Sequence, residues 1–436
     1  MARLRRLGKA ILIAIPAILL VYILHHTGFD TRLPVRPGGT LRADVALGSG
    51  LSSNRGSLEI RSHDDDDVRV IAETWGWGKY AVDVAAREHD GDVEVLGRVE
   101  GFLHWIFAGP TVDVTVFVPR GYPVEARIEG GPLVLEELSG LIEASAAQGG
   151  RNTLALRRSA GVAKLVGHGG KIEVEGLEGA LKVESVDGSV EISDVVGTTV
   201  VSAQEGAEVR IAGARGDVHV ASEYGRIELR DVVGDVDLET EDGGLEIDAL
   251  EGRLHARSRH GDIDVEFVGD PAGLIQTSAG SIDVEVPDSS RFDLDASAGS
   301  GSLELDEGLA FARNELPEVA VGPLIRQDAG DMARLGVEIA AEVHAKVSER
   351  VSRYLETRRN GGQGDDAWSE DWGWSWEDPA WRWHEHEWAL AERRGHWGDW
   401  GWGDGEDESR RLSGTVNGGG ALLQLRSKGG QIYVKD

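Results

Sequence analysis

The chain has 436 residues, of which 60 are glycine, 12 are proline and none is cysteine. Acidic residues outnumber basic ones 76 to 45, for a formal charge of -31. This balance argues against nucleic acid and anionic lipid headgroups as partners, because phosphate contacts need Lys and Arg. The missing cysteines exclude disulfides and thiolate metal sites.

Arg3, Arg5, Arg6 and Lys9 precede an apolar run, AILIAIPAILLVYIL, from Ala10 to Leu24. A basic flank before an apolar run predicts a cytoplasmic N-terminus, membrane contact through residues 10–24, and a body outside the cytoplasm. The run is shorter than the roughly 20 residues of a spanning helix. The following HHTGFDTRLP offers no A-x-A-like cleavage site. Residues 1–29 therefore read either as an uncleaved signal anchor or as a cleaved signal peptide, with the body outside the cytoplasm in both cases. A linker is expected over residues 30–54.

Residues 55–309 read as one repeat domain, regular from Gly170 on and less clean upstream. Glycines recur at Gly170, Gly179, Gly188, Gly197, Gly206, Gly216, Gly225, Gly234, Gly243, Gly252 and Gly261, a step of nine residues stretched once to ten. Between them apolar residues alternate with polar ones, as in Ile172/Val174, Val190/Ile192, Ile227/Leu229 and Ile263/Val265. That is the period of a strand. Two half-repeats make a coil of about 18 residues with two short strands, GDVDLETED and GGLEIDALE being one example. One such coil buries too little to stand alone, so coils must stack. The predicted fold is all-β: a right-handed-type β-solenoid in which inward aliphatics form columns about 4.8 Å apart. An antiparallel meander is the competitor, but its loops need not keep so constant a spacing.

A linker is expected over residues 310–330. Leu335, Ile339, Val343, Val347, Val351 and Leu355 then step by four, which predicts an amphipathic helix over residues 331–360. It would pack on the solenoid or carry a partner. Residues 361–411 are acidic and rich in Trp and Gly; ten of the 13 tryptophans lie between Trp368 and Trp402. With few aliphatics the tract cannot build its own core. It reads either as low-complexity sequence or as an adhesive surface, in which Trp368, Trp372, Trp374, Trp376, Trp381, Trp383 and Trp388 contact an envelope protein or a glycan. Residues 412–436 resume the strand phrase with Leu423/Leu425 and Ile432/Val434, and are expected to add or cap the last coil.

The glycine-spaced G-x-[VIL]-[DE]-[VIL] units, the opening GSLEIRSHDDDDVRV and the closing GGALLQLRSKGGQIYVKD resemble the bacterial putative-adhesin β-strand-repeat family. That resemblance implies a β-solenoid on an exported or membrane-anchored protein, in a domain family of unknown function. It implies no catalytic residue.

One set of polar positions suggests chemistry. Glu173, Glu191, Glu228, Glu246, Asp264 and Asp283 each sit between two inward aliphatics, with Arg210 interrupting the series. Stacked carboxylates repel unless cations or solvent screen them. Weak Ca²⁺ or Mg²⁺ binding along this ladder is one reading, and a solvated face is the other. No other cofactor is expected. HDDDD at His63–Asp67 reads as a polar turn. No nucleophile elbow, phosphate loop or dinucleotide fingerprint is present. The expected function is a non-catalytic extracytoplasmic scaffold or adhesin. A regulatory, membrane-anchored envelope-stress protein is the alternative, and a glycan-active β-helix enzyme the more distant one.

Overall fold

The computed structural model describes residues 26–35, 38–47, 56–75, 82–89, 91–99, 111–147, 152–313 and 411–436. The chain divides into two compact units, Met1–Leu316 with Asp407–Asp436, and Pro317–Glu406. The second unit, with the predicted helix over 331–360 and the tryptophans 368–388, lies outside the described residues. So does the apolar run 10–24. Among the described residues there are 29 strands and no helix, hence no helix long and apolar enough to cross a membrane.

Parallel pairing at the coil period decides between solenoid and meander. Strand β17 (Ile227–Val233) pairs in parallel with β19 (Leu245–Glu251), Ile227 opposite Leu245. Strand β18 (Val236–Asp242) pairs in the same way with β20 (Arg253–Ser258), Val236 opposite Leu254. Each strand thus hydrogen-bonds to its equivalent one coil away, and consecutive strands lie on different faces. Strands β11 (Thr153–His168) and β12 (Lys171–Val186) run through both faces of their coils without a break.

The alternation puts one set of side chains inside. Ile227, Leu229, Val232, Val236 and Leu238 of a single coil are at most 2% exposed, and the same holds for Leu245, Ile247, Leu250, Leu254 and Ala256 above them. A further inward column is polar: Ser185, Ser222, Thr240, Ser258, Thr277 and Ser427 are all buried. Several of these hydroxyls bind the corner of the adjacent coil. Ser258 Oγ donates to the Gly243 carbonyl at 3.3 Å, Thr277 Oγ1 to Gly261 at 3.1 Å and Ser427 Oγ to Gly280 at 3.1 Å. The corner phrase is therefore [ST]-x-x-G, with the hydroxyl fastening one rung to the next.

Glycine is required at these corners by crowding. Gly234 has φ +146°, and a Cβ there would collide with the Gly216 carbonyl one coil below. Gly252 stands in the same relation to Gly234, and Gly261 to Gly243.

Three boundaries differ from those expected. Strands β1 (His26–Pro34) and β2 (Leu41–Ala46) occupy the supposed linker 30–54. Gly39 and Gly48 keep the nine-residue spacing there, and a Cβ at Gly39 would collide with the Gly91 carbonyl. At this end β1 pairs antiparallel with β4 (Asp67–Trp75), and β5 (Val82–His89) with β6 (Asp92–Val99), so the parallel stack stops. Within the supposed linker 310–330, Phe311–Arg313 forms a short strand, β26.

The third difference concerns residues 412–436, which do not follow the last coil. Strand β28 (Ala421–Ser427) lies between β22 (Ala272–Thr277) and β24 (Phe292–Ala298), parallel to both. Strand β29 (Ile432–Lys435) lies between β23 (Ile282–Glu285) and β25 (Leu303–Leu305). The final segment is an interior rung. Strand β27 (Arg411–Val416) then pairs antiparallel with β24 on one edge and β26 on the other.

The corner crowding sets a clear expectation for substitution. Gly234→Ala should lower stability by about 1–3 kcal/mol, from the strained φ and the displaced rung. Gly269→Ala, where nothing lies within 4 Å of the new methyl, should stay within about 0.5 kcal/mol of the parent. Urea unfolding of both variants checks this.

Candidate functional site

Register alone brings the predicted carboxylates together. Glu173 is opposite Glu191, Glu191 opposite Arg210, and Arg210 opposite Glu228. Glu228, Glu246, Asp264 and Asp283 then follow on consecutive rungs. All six point outward from one face, as the alternation requires.

Most of the gaps between them hold basic side chains. Lys171 Nζ lies 2.5 Å from Glu191 and 3.7 Å from Glu173. Arg210 Nε donates to Glu228 at 3.1 Å, and its Nη1 is 3.8 Å from Glu191. Arg226 Nη2 reaches Glu246 at 2.6 Å, and Lys435 Nζ reaches Asp283 at 3.3 Å. The hydrogen bond to Glu191 raises the Lys171 pKa despite some desolvation.

Asp264 is the exception: it has no basic partner among the described residues. Its side chain reaches solvent, yet desolvation against the sheet, then the charges of Asp283, Asp262 and Glu246, raise its pKa above the ordinary value. The ladder is therefore a row of ion pairs with one carboxylate, Asp264, that Lys435 offsets only in part.

The other face carries its own column. His219, Asp237 and His255 stand on successive rungs. His219 Nδ1 is 3.7 Å and His255 Nδ1 3.2 Å from the Asp237 carboxylate. Burial alone would raise the Asp237 pKa, but the neighbouring imidazoles of His219 and His255 prevail and lower it. The arginines recur in the same way and pair one coil away: Arg230 with Asp248 at 3.3 Å, Arg253 with Asp235, and Arg259 with Glu241. They do not converge on a groove.

The most buried charge was not among the sequence candidates. Asp295, on β24, has a side chain only 8% exposed. It accepts from Arg426 Nη2 at 2.7 Å, Arg411 Nε at 3.1 Å and Gln424 Nε2 at 3.3 Å. Arg426 Nη1 also donates to the Asp295 carbonyl at 3.2 Å. Burial works to raise this carboxyl, and the two arginines outweigh it and hold its pKa low. The sequence signal was an acid in FDLDASAG at a position that gains cover only from the interior rung.

At the opposite end, HDDDD forms the connection from β3 (Gly56–His63) to β4, which flank the strand Thr111–Pro119 on either side. His63 Nε2 lies 2.6 Å from the Asp67 carbonyl, and its Nδ1 3.6 Å from Asp65. His63, Asp65 and Asp67 are close enough to share an ion. Arg32 already approaches both acids, at 4.0 and 3.7 Å, so the turn is charge-compensated from within.

These features define a parallel β-solenoid whose faces are ordered columns of ion pairs. The family model described as Toastrack DUF4097 matches residues 51–318, more than half of the chain, and the chain belongs to that family. No curated protein matches. Among solved structures, the chain is similar to a "putative cell adhesion protein" from Clostridium sporogenes, at 8% identity and TM-score 0.17, over 94% of this chain and 99% of that one.

Two substitutions separate the paired acid from the partly offset one. Asp264→Asn should raise stability at neutral pH by roughly 0.3 kcal/mol, because it removes a like-charge contact. Since folding raises this pKa above 3.8, the parent should match Asp264→Asn below that pH and fall behind as pH rises. Asp295→Asn should cost about 3 kcal/mol, leaving Arg426 under-compensated where it is mostly buried. Folding lowers the Asp295 pKa, so its contribution is present above 3.8 and lost only in stronger acid. Thermal unfolding across pH 3 to 8 reads both.

Proposed function

We propose that this protein is a non-catalytic scaffold of the bacterial cell envelope, with its body outside the cytoplasm and the tryptophan tract as its contact device. The observation that carries this reading is where the solenoid releases and recovers the chain. Strands β26 and β27, which end at Arg313 and begin at Arg411, lie side by side and antiparallel, Phe311 opposite Val416 and Arg313 opposite Gly414. Arg313 Nη2 also donates to the Arg411 carbonyl at 3.5 Å. Residues 314–410 are thus held at both ends by neighbouring strands of a rigid stack. Trp368, Trp372, Trp374, Trp376, Trp381, Trp383 and Trp388 fall within that tethered segment. Tryptophan gives large contact area to protein and carbohydrate faces alike. The basic flank and apolar run at residues 3–24 support anchoring in the membrane or export.

Asp264 supports a second, lesser reading, weak Ca²⁺ or Mg²⁺ binding beside Glu246 and Asp283. A hard cation would add positive charge at a carboxylate that only the more distant Lys435 offsets.

Full-length protein should pellet with purified envelopes, and replacing the seven tryptophans with Ser should reduce the bound fraction about tenfold, as loss of hot-spot residues does. Equal pelleting by both proteins would remove the tract from the function. For the cation, millimolar CaCl₂ should abolish the stability advantage of Asp264→Asn; an unchanged advantage would leave the ladder simply solvated.

A further inference from the structure

We propose that residues 411–436 act as a separable ligand of the solenoid. The slot between the coil of residues 272–285 and the coil of residues 292–305 takes this segment from its own chain or from a second copy of the chain. The partner class is therefore another molecule of this protein.

Elsewhere in the regular zone a short corner dictates which coil follows. Gly234 and Asp235 alone join β17 to β18. Between β23 and β24 the chain instead climbs two rungs, about 9.6 Å at the usual strand spacing, and leaves one rung for a segment that is distant in sequence. That segment arrives through residues 314–410, so no corner geometry specifies which copy supplies it.

The slot recognises its occupant in three ways. Both edges contribute backbone hydrogen bonds: Ile282 N to the Gln431 carbonyl at 2.8 Å and Val286 N to Lys435 at 3.0 Å on one side, Gly299 N to Ser427 at 2.8 Å and Asp306 N to Val434 at 2.9 Å on the other. Leu423, Leu425, Ile432 and Val434 are 0% exposed and complete the inward columns. Gly430 continues the glycine column between Gly280 and Gly301, where no side chain fits. The third element is charge. Asp295 faces Arg426 and Arg411, both carried by the incoming segment.

An empty slot would leave two strand edges facing each other across one missing rung, with Asp295 uncompensated. Such a site binds any chain that offers the right strands. In dilute protein the covalent tether favours the copy's own segment through effective concentration. When copies fold together at high concentration, exchange of an identical element is a low-cost route to dimers.

The test uses two full-length variants, Asp295→Arg and Arg426→Asp. Each places like or mismatched charges in its own slot. Mixed, unfolded and refolded together, the segment of Asp295→Arg carries a native Arg426 to the native Asp295 of Arg426→Asp. Native mass spectrometry should show a heterodimer about tenfold more abundant than dimers of either variant refolded alone. Equal abundance in all three samples would overturn the proposal. Should neither variant fold, the parent chain decides. With a protease site at Gly361–Gly362, cut after folding, the severed segment should co-elute with the body on gel filtration. An excess of fluorescent peptide 409–436 should then replace it. A segment that separates on cutting, or that never exchanges, would equally overturn the proposal.

Discussion

Backbone hydrogen bonding between equivalent residues of successive coils is the constraint on which this structure rests. Each rung must come within a strand spacing of the last along its whole length, corners included. At the corners the carbonyl of one glycine lies where a Cβ of the next would be, so Gly179, Gly197, Gly216, Gly234 and Gly252 form a column of necessity. The inward columns follow from that fixed register, because an apolar residue on one rung always meets its counterpart on the next. The ion pairs follow too. Arg230 with Asp248, Arg253 with Asp235 and His255 with Asp237 are each one coil apart. A single repeat length organises main chain, core and surface charge at once.

How much of this was legible in the sequence depends on how local the cause is. Strand period, corner glycines and coil length are written within any 18 residues, and the parallel stack follows from their constancy. The carboxylate ladder was legible for the same reason, since Glu228 and Glu246 sit at identical phases of adjacent repeats. The cations between them were less so. Lys171 and Arg226 reach the ladder from positions two residues before it, along a direction that only the pleat reveals. The buried hydroxyl column escaped notice although [ST]-x-x-G recurs at Ser258, Thr277 and Ser427; Ser and Thr beside a glycine corner resemble ordinary turn residues.

The interior placement of residues 421–435 could not be read at all from local pattern. LLQLRSKGGQIYV looks like any other coil, and the phrase says that it stacks without saying between which neighbours. Only Asp295 holds the answer, as a charge whose cover comes from Arg411 and Arg426, far along the chain. Position in a repeat is local information; order of rungs is not. Strand β2 was missed for a related reason: it too is an interior rung, parallel to β6 on one side and to the strand Val124–Glu129 on the other, so its place depends on distant chain.

Strands β26 and β27 carry one more consequence. Because β26 and β27 are adjacent, the described strand ends that flank residues 314–410 lie a single strand spacing apart. Loop-closure entropy changes only with the logarithm of loop length, so lengthening or shortening that segment barely alters what the stack must supply. The architecture thus separates two evolutionary clocks: a body held to one repeat length by its own hydrogen bonds, and an insert whose length those hydrogen bonds do not set.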